Sequence, residues 1–233
     1  MIASLDSRLT APQRSRLVES LFPSGVAAAE LRGRADPALL YTEEQDACQG
    51  FRDKRLREFA AGRECARYAL AQLGYAPRAL PRMRDGRVAW PQTATGSISH
   101  TARFCAAVAT ETRRFASLGL DIEHLGDISA ELWPQLFRRE EIEQLRGLPP
   151  AARDAFATVL FCAKEAFYKC QFPLTKRWLD FTDVAVSAQW RADDGGRFSI
   201  RLHGVPQAVP GRFYGGFRIM PGFALAGATV FAA

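Results

Sequence analysis

Apolar residues recur at helical spacing in two long stretches of the 233-residue chain. Over residues 51–73, Leu56, Phe59, Ala60, Ala66, Leu70 and Leu73 fall on one stripe, with Gly74 as a stop. Over residues 151–170, after the Pro149-Pro150 break, Phe156, Val159, Leu160, Ala163, Phe167 and Cys170 form a second buried face. A shorter, charged helix is predicted over 130–146. Short strand patterns at 87–90, 97–99, 104–109 and 118–123 lie between the first helix and this pair, the middle two close enough for a hairpin around His100 and Thr101. Four more, at 181–188, 197–202, 213–219 and 223–231, follow the long second helix, with Gly-rich hairpins between them. The first forty or so residues, punctuated by Pro12, Pro23, Gly25, Gly33 and Pro37, read as an irregular wrap. Each half therefore combines helix with antiparallel strands, an α+β arrangement with a boundary near Phe115. The letters themselves contain no internal repeat.

One feature of the first helix breaks its pattern. Arg63 and Arg67 fall inside the apolar stripe, which fits either arginines snorkelling at the edge of a core or arginines lining an anion pocket. Composition adds to that choice. With 48% hydrophobic and 24% charged residues the chain is a folded domain rather than a disordered one. Its 31 Lys+Arg against 25 Asp+Glu leave a net charge of +6, which suits an anionic partner: a phosphorylated metabolite, an acidic protein or a nucleic acid. Five cysteines without a C-x-x-C pair suit reduced thiols better than a disulfide framework or a zinc site. No apolar run is long enough to span a membrane, and the opening MIASLDSRLTAPQRSR mixes charge where a leader needs hydrophobic residues, so a cytoplasmic protein is expected.

Candidate chemistry sits at three places. In Gly119-Leu120-Asp121-Ile122-Glu123 the strand period puts Asp121 and Glu123 on one face, while Leu118, Leu120 and Ile122 turn to a core. Paired carboxylates repel unless a cation bridges them, and magnesium takes such oxygens; a solvated edge explains the same pattern. On the second helix Lys164-Glu165-Ala166-x-x-Lys169 sets Glu165 and Lys169 on one face, either as a surface ion pair or as a third carboxylate with a lysine for a phosphate. Finally, His100 follows Ser97-Ile98-Ser99 at a strand end, and Arg82-Met83-Arg84-Asp85-Gly86-Arg87 places three arginines round a glycine, a solvated loop or a phosphate clasp.

Together with Lys54-Arg55-x-x-Glu58-Phe59-x-x-Gly62-Arg63-x-x-Ala66-Arg67, these motifs resemble the two-lobed, Sfp-type 4′-phosphopantetheinyl transferases and, within them, the EntD-like branch. The resemblance runs from Lys54 to Lys169. Phe161 stands where many Sfp-type members carry Trp, as it does in the EntD-like branch. Such a resemblance implies two similar α+β lobes in a pseudo-twofold arrangement, 1–115 and 116–233, with coenzyme A in the cleft between them. Family members move the phosphopantetheine arm of coenzyme A onto a serine of an acyl, peptidyl or aryl carrier protein and release adenosine 3′,5′-bisphosphate. On this sequence the resemblance implies Mg2+, with Mn2+ possible, on Asp121, Glu123 and Glu165, and catalytic roles for Glu165 and Lys169. It implies coenzyme A contacts from Arg55, Arg63, Arg82, Gly86, Arg87, Ser99, His100, Asp121, Lys164 and Lys169, with Arg67 ranked lower. The carrier is expected on segment 124–137 through Leu125, Ile128, Leu132 and Trp133, and a chain holding both lobes is expected to act as a monomer without nucleic acid or membrane. Two alternatives use the same features. A nucleic-acid-binding module needs arginines interleaved with exposed aromatics, whereas Trp90, Phe104 and Phe167 fall at core-facing positions; a magnesium-dependent phosphohydrolase needs only the carboxylates.

Overall fold

The computed structural model of the chain describes residues 11–101, 103–192, 194–204 and 211–232. Residues 1–10, read above for a leader, lie outside them. Strand β1 (Gln13–Arg14), a turn of helix α1 (Arg16–Glu19) capped by the Ser15 hydroxyl, and strand β2 (Ala27–Arg32) open the fold. Here the structure departs from an irregular wrap. Alanine-rich β2 has neither alternation nor β-branched residues to mark it, yet it pairs along its whole length with β4 (Phe104–Glu111) and is buried there. Helices α2 (Thr42–Gln45) and α3 (Asp53–Gln72) follow, then β3 (Ala94–His100) and β4. The sheet order is β1-β2-β4-β3, all antiparallel.

The second sheet, order β5-β9-β8-β7-β6, is also antiparallel. It is built from β5 (Phe115–His124), β6 (Val184–Ala192), β7 (Gly195–Leu202), β8 (Phe213–Met220) and β9 (Phe223–Phe231). Between β5 and β6 run α4 (Trp133–Leu136), α5 (Arg139–Arg146) and α6 (Pro150–Thr175). The single helix expected over 130–146 is thus two. The break has a cause: the buried Glu141 carboxylate accepts the Arg138 N–H at 2.8 Å and holds Arg138 in extended backbone as the cap of α5. No strand forms at 87–90, where a lone Arg82–Val88 bridge closes a turn through Gly86 at φ +85°. Pro173 lies within α6, which ends at Lys176 in the left-handed region.

Three apolar clusters hold this together. α3 packs Phe59, Ala60, Ala66 and Leu70 on the first sheet, and α6 packs Phe156, Leu160, Ala163 and Phe167 on the second. The third joins the sheets: Leu21 and Phe22 after α1 meet Phe104, Val108, Leu118, Leu120 and Ile122. The N-terminal segment is therefore part of the core between the lobes. Among the described residues no helix is long and apolar enough to cross a membrane, and the five cysteines are free thiols.

Candidate active site

The C-terminal wall of the site starts from a glycine. A Cβ at Gly119 would run into the Ala166 carbonyl, so glycine lets α6 lie directly on β5. That approach lays Lys169 over the carboxylate face of β5. Its ammonium donates to Asp121 Oδ1 at 2.6 Å and to the Leu120 carbonyl at 3.2 Å, and lies 3.4 Å from Ser99 Oγ. Ser99 Oγ also donates to Asp121 Oδ1 at 3.1 Å. Asp121 is buried, and its Oδ2 has no hydrogen-bond partner. Burial, then repulsion from Asp121 and Glu165, pushes the Glu123 carboxyl up to about 7, although Lys169 opposes the shift. Burial also raises the Glu165 carboxyl; Lys169 opposes that rise and Asp121 adds to it. For Lys169, burial works against the charge, but Asp121, Glu165 and Glu123 outweigh it and hold its pKa above the ordinary lysine value. Negative charge thus exceeds positive at this wall. Among the described residues no group of three or more His, Cys, Asp or Glu side chains is arranged to hold a metal ion as it stands. Asp121, Glu123 and Glu165 are neighbours, with Lys169 on Asp121 Oδ1.

The N-terminal wall carries the opposite excess. Arg55 Nη1 donates to His100 Nε2 at 2.7 Å, which makes Nε2 an acceptor and the imidazole neutral. Burial, then Arg55, lowers the His100 pKa in the same sense, against Glu58 at 3.9 Å from Nδ1. Arg63 is only 5% exposed, its guanidinium 4.0 Å from the centre of the Phe59 ring and its Nε without a partner. Burial pulls its pKa down to about 10, and Arg67 and Arg82 add to the shift against Glu44. At neutral pH it remains a buried cation.

A cleft of about 740 Å³ is lined by Gly86, Arg87, Trp90, Gly96 and Trp178 among others, and Lys169 is its contribution from the carboxylate wall. Across its rim Asp85 pairs with Arg87 at 2.8 Å and with Lys176 at 3.7 Å. A second pocket of about 250 Å³ opens beside Glu165 between Phe167, Leu179 and Phe181; Tyr168 and the 75% exposed Trp178 line both.

On β5 and α6, then, the carboxylates gather round Lys169, and Arg63 is buried on α3. The chain matches the 4′-phosphopantetheinyl transferase N-terminal domain over residues 43–110 and the 4′-phosphopantetheinyl transferase superfamily over residues 117–219. It belongs to that superfamily. Relatives include 4′-phosphopantetheinyl transferase Npt of Nocardia iowensis, 33% identical over 77% of this chain and 79% of the relative. Another is 4′-phosphopantetheinyl transferase Svp of Streptomyces mobaraensis, 36% identical over 79% and 72%. Enterobactin synthase component D of Salmonella typhi is 36% identical over 56% and 54%.

Within this transferase scaffold the predicted residues separate. Asp121, Ser99 and Lys169 converge, Arg55 meets His100, and Gly86 and Arg87 line the cleft. Arg82 and Arg63 feel each other's charge. Lys164 stands apart from these. Its side chain is 1% exposed and its ammonium is engaged by Glu141 at 2.7 Å and by the Leu136 and Phe181 carbonyls, each at 2.9 Å, where it lines the pocket beside Glu165. Arg67 is likewise engaged, by Glu44 and Glu64. On segment 124–137, Ile128 and Trp133 belong to the core, Leu125 packs against it, and Leu132 is 40% exposed. Tyr168 and Trp178 went unmarked as cleft residues in the letters; the signal for Tyr168 was its place one residue before Lys169 on α6.

Proposed function

We propose that the cleft binds coenzyme A and that the chain transfers its phosphopantetheine arm to a serine of an acyl, peptidyl or aryl carrier protein. What carries this is the unpaired cation. Arg63 is buried with its Nε unpartnered and no ion pair of its own, feeling Glu44 and the like charges of Arg67 and Arg82, an arrangement that an arriving phosphate would complete. The 3′-phosphate of coenzyme A is that anion, with Arg55 and His100 alongside, and Gly86 and Arg87 face the diphosphate. Residues 1–115 then grip the nucleotide, and residues 116–233 supply the reacting wall. The apolar pocket beside Glu165 suits the pantetheine arm.

Asp121, Glu123 and Glu165 would hold Mg2+ or Mn2+. Their all-oxygen set, the orphaned Asp121 Oδ2 and two carboxyls whose ionisation is opposed by burial and by one another fit a hard cation. A cation at these oxygens supplies neutralisation of the diphosphate charge. Glu165 takes the proton from the carrier serine hydroxyl. The serine oxygen bonds to the phosphorus nearest pantetheine as the bond from that phosphorus to the bridging oxygen breaks, and adenosine 3′,5′-bisphosphate leaves with its charge steadied by Lys169. Both walls come from one chain, which supports a working monomer, and the free thiols support a cytoplasmic setting. The net charge of +6 favours encounter with an acidic carrier.

Intact mass of a peptidyl carrier domain incubated with coenzyme A and Mg2+ tests this. A gain of one phosphopantetheine is expected, slowed about 100-fold or more by Asp121→Asn. Unmodified carrier, or an Asp121→Asn enzyme that works at the wild-type rate, would overturn the assignment.

A further inference from the structure

β3 and β5 are edge strands of different sheets, so no ladder joins them. Side chains do so instead. Leu120 N–H donates to Ser97 Oγ at 3.0 Å and Ile122 N–H to Ser99 Oγ at 3.2 Å. The two serines are two residues apart on one face of β3, and so are their partners on β5. Serine hydroxyls thus stand where the carbonyls of a parallel ladder would stand. Ser97 and Ser99 are 7% and 5% exposed, and a buried N–H left without an acceptor is costly, so a slip of one residue would strand both donors.

We propose that Ser97 is a positioning residue for the transfer reaction: its hydroxyl fixes the register of β5 against β3 and so places Asp121 under Lys169. Ser99 already touches Asp121 and Lys169. Ser97 bonds to neither. It acts through Leu120, whose N–H it receives and whose carbonyl accepts from Lys169, so this one residue is held on both sides beside the carboxylate. Because the proposal rests on the transferase assignment above, its test needs a rate and a second readout that does not depend on turnover.

Ser97→Thr and Ser97→Val have nearly the same shape and differ in the hydroxyl. With coenzyme A and a peptidyl carrier domain, Ser97→Thr is expected to keep kcat within about twofold, and Ser97→Val to lose about tenfold or more at unchanged KM for both substrates. Ser117→Ala removes a buried β5 hydroxyl that lies by Cys170 on α6 rather than on β3, and is expected to behave as wild type. Amide hydrogen exchange gives the second readout: the Leu120 N–H is slow in wild type and Ser97→Thr and fast in Ser97→Val. If neither β-branched variant folds, Ser97→Ala is judged by the same two criteria. The proposal is overturned by equal kcat in Thr and Val, by a raised KM for coenzyme A at normal kcat, which would put Ser97 on substrate, or by a loss shared with Ser117→Ala. A wild-type enzyme that transfers nothing would instead sink the transferase assignment, and Leu120 exchange would still decide whether the pin exists.

Discussion

In the N-terminal half, Glu44 lies fully buried at the third position of α2, where it accepts the Tyr41 N–H at 3.0 Å, the Leu80 N–H at 2.8 Å and the Arg67 guanidinium at 2.7 Å. In the C-terminal half, Glu141 lies buried at the third position of α5 and accepts the Arg138 N–H at 2.8 Å, the Val186 N–H at 2.8 Å and the Lys164 ammonium at 2.7 Å. Each glutamate precedes its cation by 23 residues. The lobes share one device, a buried carboxylate that ties a short helix to the long one, although their letters do not repeat. Four residues before each cation the likeness ends. Leu160 is wholly buried in the C-terminal core, and the matching place in the N-terminal lobe holds Arg63. An apolar side chain satisfies the fold there, so a cation with no ion pair of its own points to an anion that arrives from outside.

The comparison breaks most sharply on stability. Arg67→Met strands the buried Glu44 carboxylate and is expected to cost about 3 to 5 kcal/mol in denaturant unfolding. Arg63→Leu copies the other lobe and is expected to leave stability unchanged or raised. A loss for Arg63→Leu equal to that for Arg67→Met would mean that Arg63 serves the fold.

Ligand binding sharpens the same pair. Arg63→Leu is expected to weaken coenzyme A binding by about 1.5 to 3 kcal/mol, the range for a hydrogen bond to a charged group. Binding of 3′-dephospho-coenzyme A should not change. Calorimetry on both ligands decides, and equal losses would place Arg63 away from the 3′-phosphate.

The long helices, the G-x-D-x-E strand and the placing of Glu165 and Lys169 on one helix face were legible because each follows from a period: 3.6 along α3 and α6, two along β5. Periodicity says which face a residue occupies and nothing of what meets it there. Arg63 and Arg67, or Lys164 and Lys169, look equivalent in the letters; Glu44, Glu141 and Asp121, brought in from distant segments, make them different. Strand β2 was hidden for a related reason. Its alanines gain burial only once β4 and the third apolar cluster surround them, and no local preference announces that. Ile128 and Trp133 show the converse, apolar residues near the cleft mouth that the core claims first.

The smallest expected effect concerns the opposite wall, where charge excess is negative. Glu123 has its pKa raised to about 7 in the folded chain, against an ordinary value of 4.5. Below about pH 4.5 the folded and unfolded chains both hold this proton, and Glu123 contributes no pH dependence. Between 4.5 and 7 the unfolded chain releases the proton while the native one keeps it, so stability falls as pH rises. Above 7 the native carboxylate ionises too, and the penalty levels off. Glu123→Gln removes the penalty: relative to wild type the variant should melt higher at pH 8 and alike near pH 4, by a modest amount because the group is only partly buried and solvent screens it. Mg2+ should narrow the gap at pH 8 by stabilising the wild type, because a bound cation offsets the repulsion from Asp121 and Glu165 that raises this pKa. Melting curves at both pH values, with and without Mg2+, read all of this. A difference between wild type and Glu123→Gln that is the same at pH 4 and pH 8 would remove Glu123 from the strained carboxylate wall and leave the positive excess around Arg63 without its counterpart.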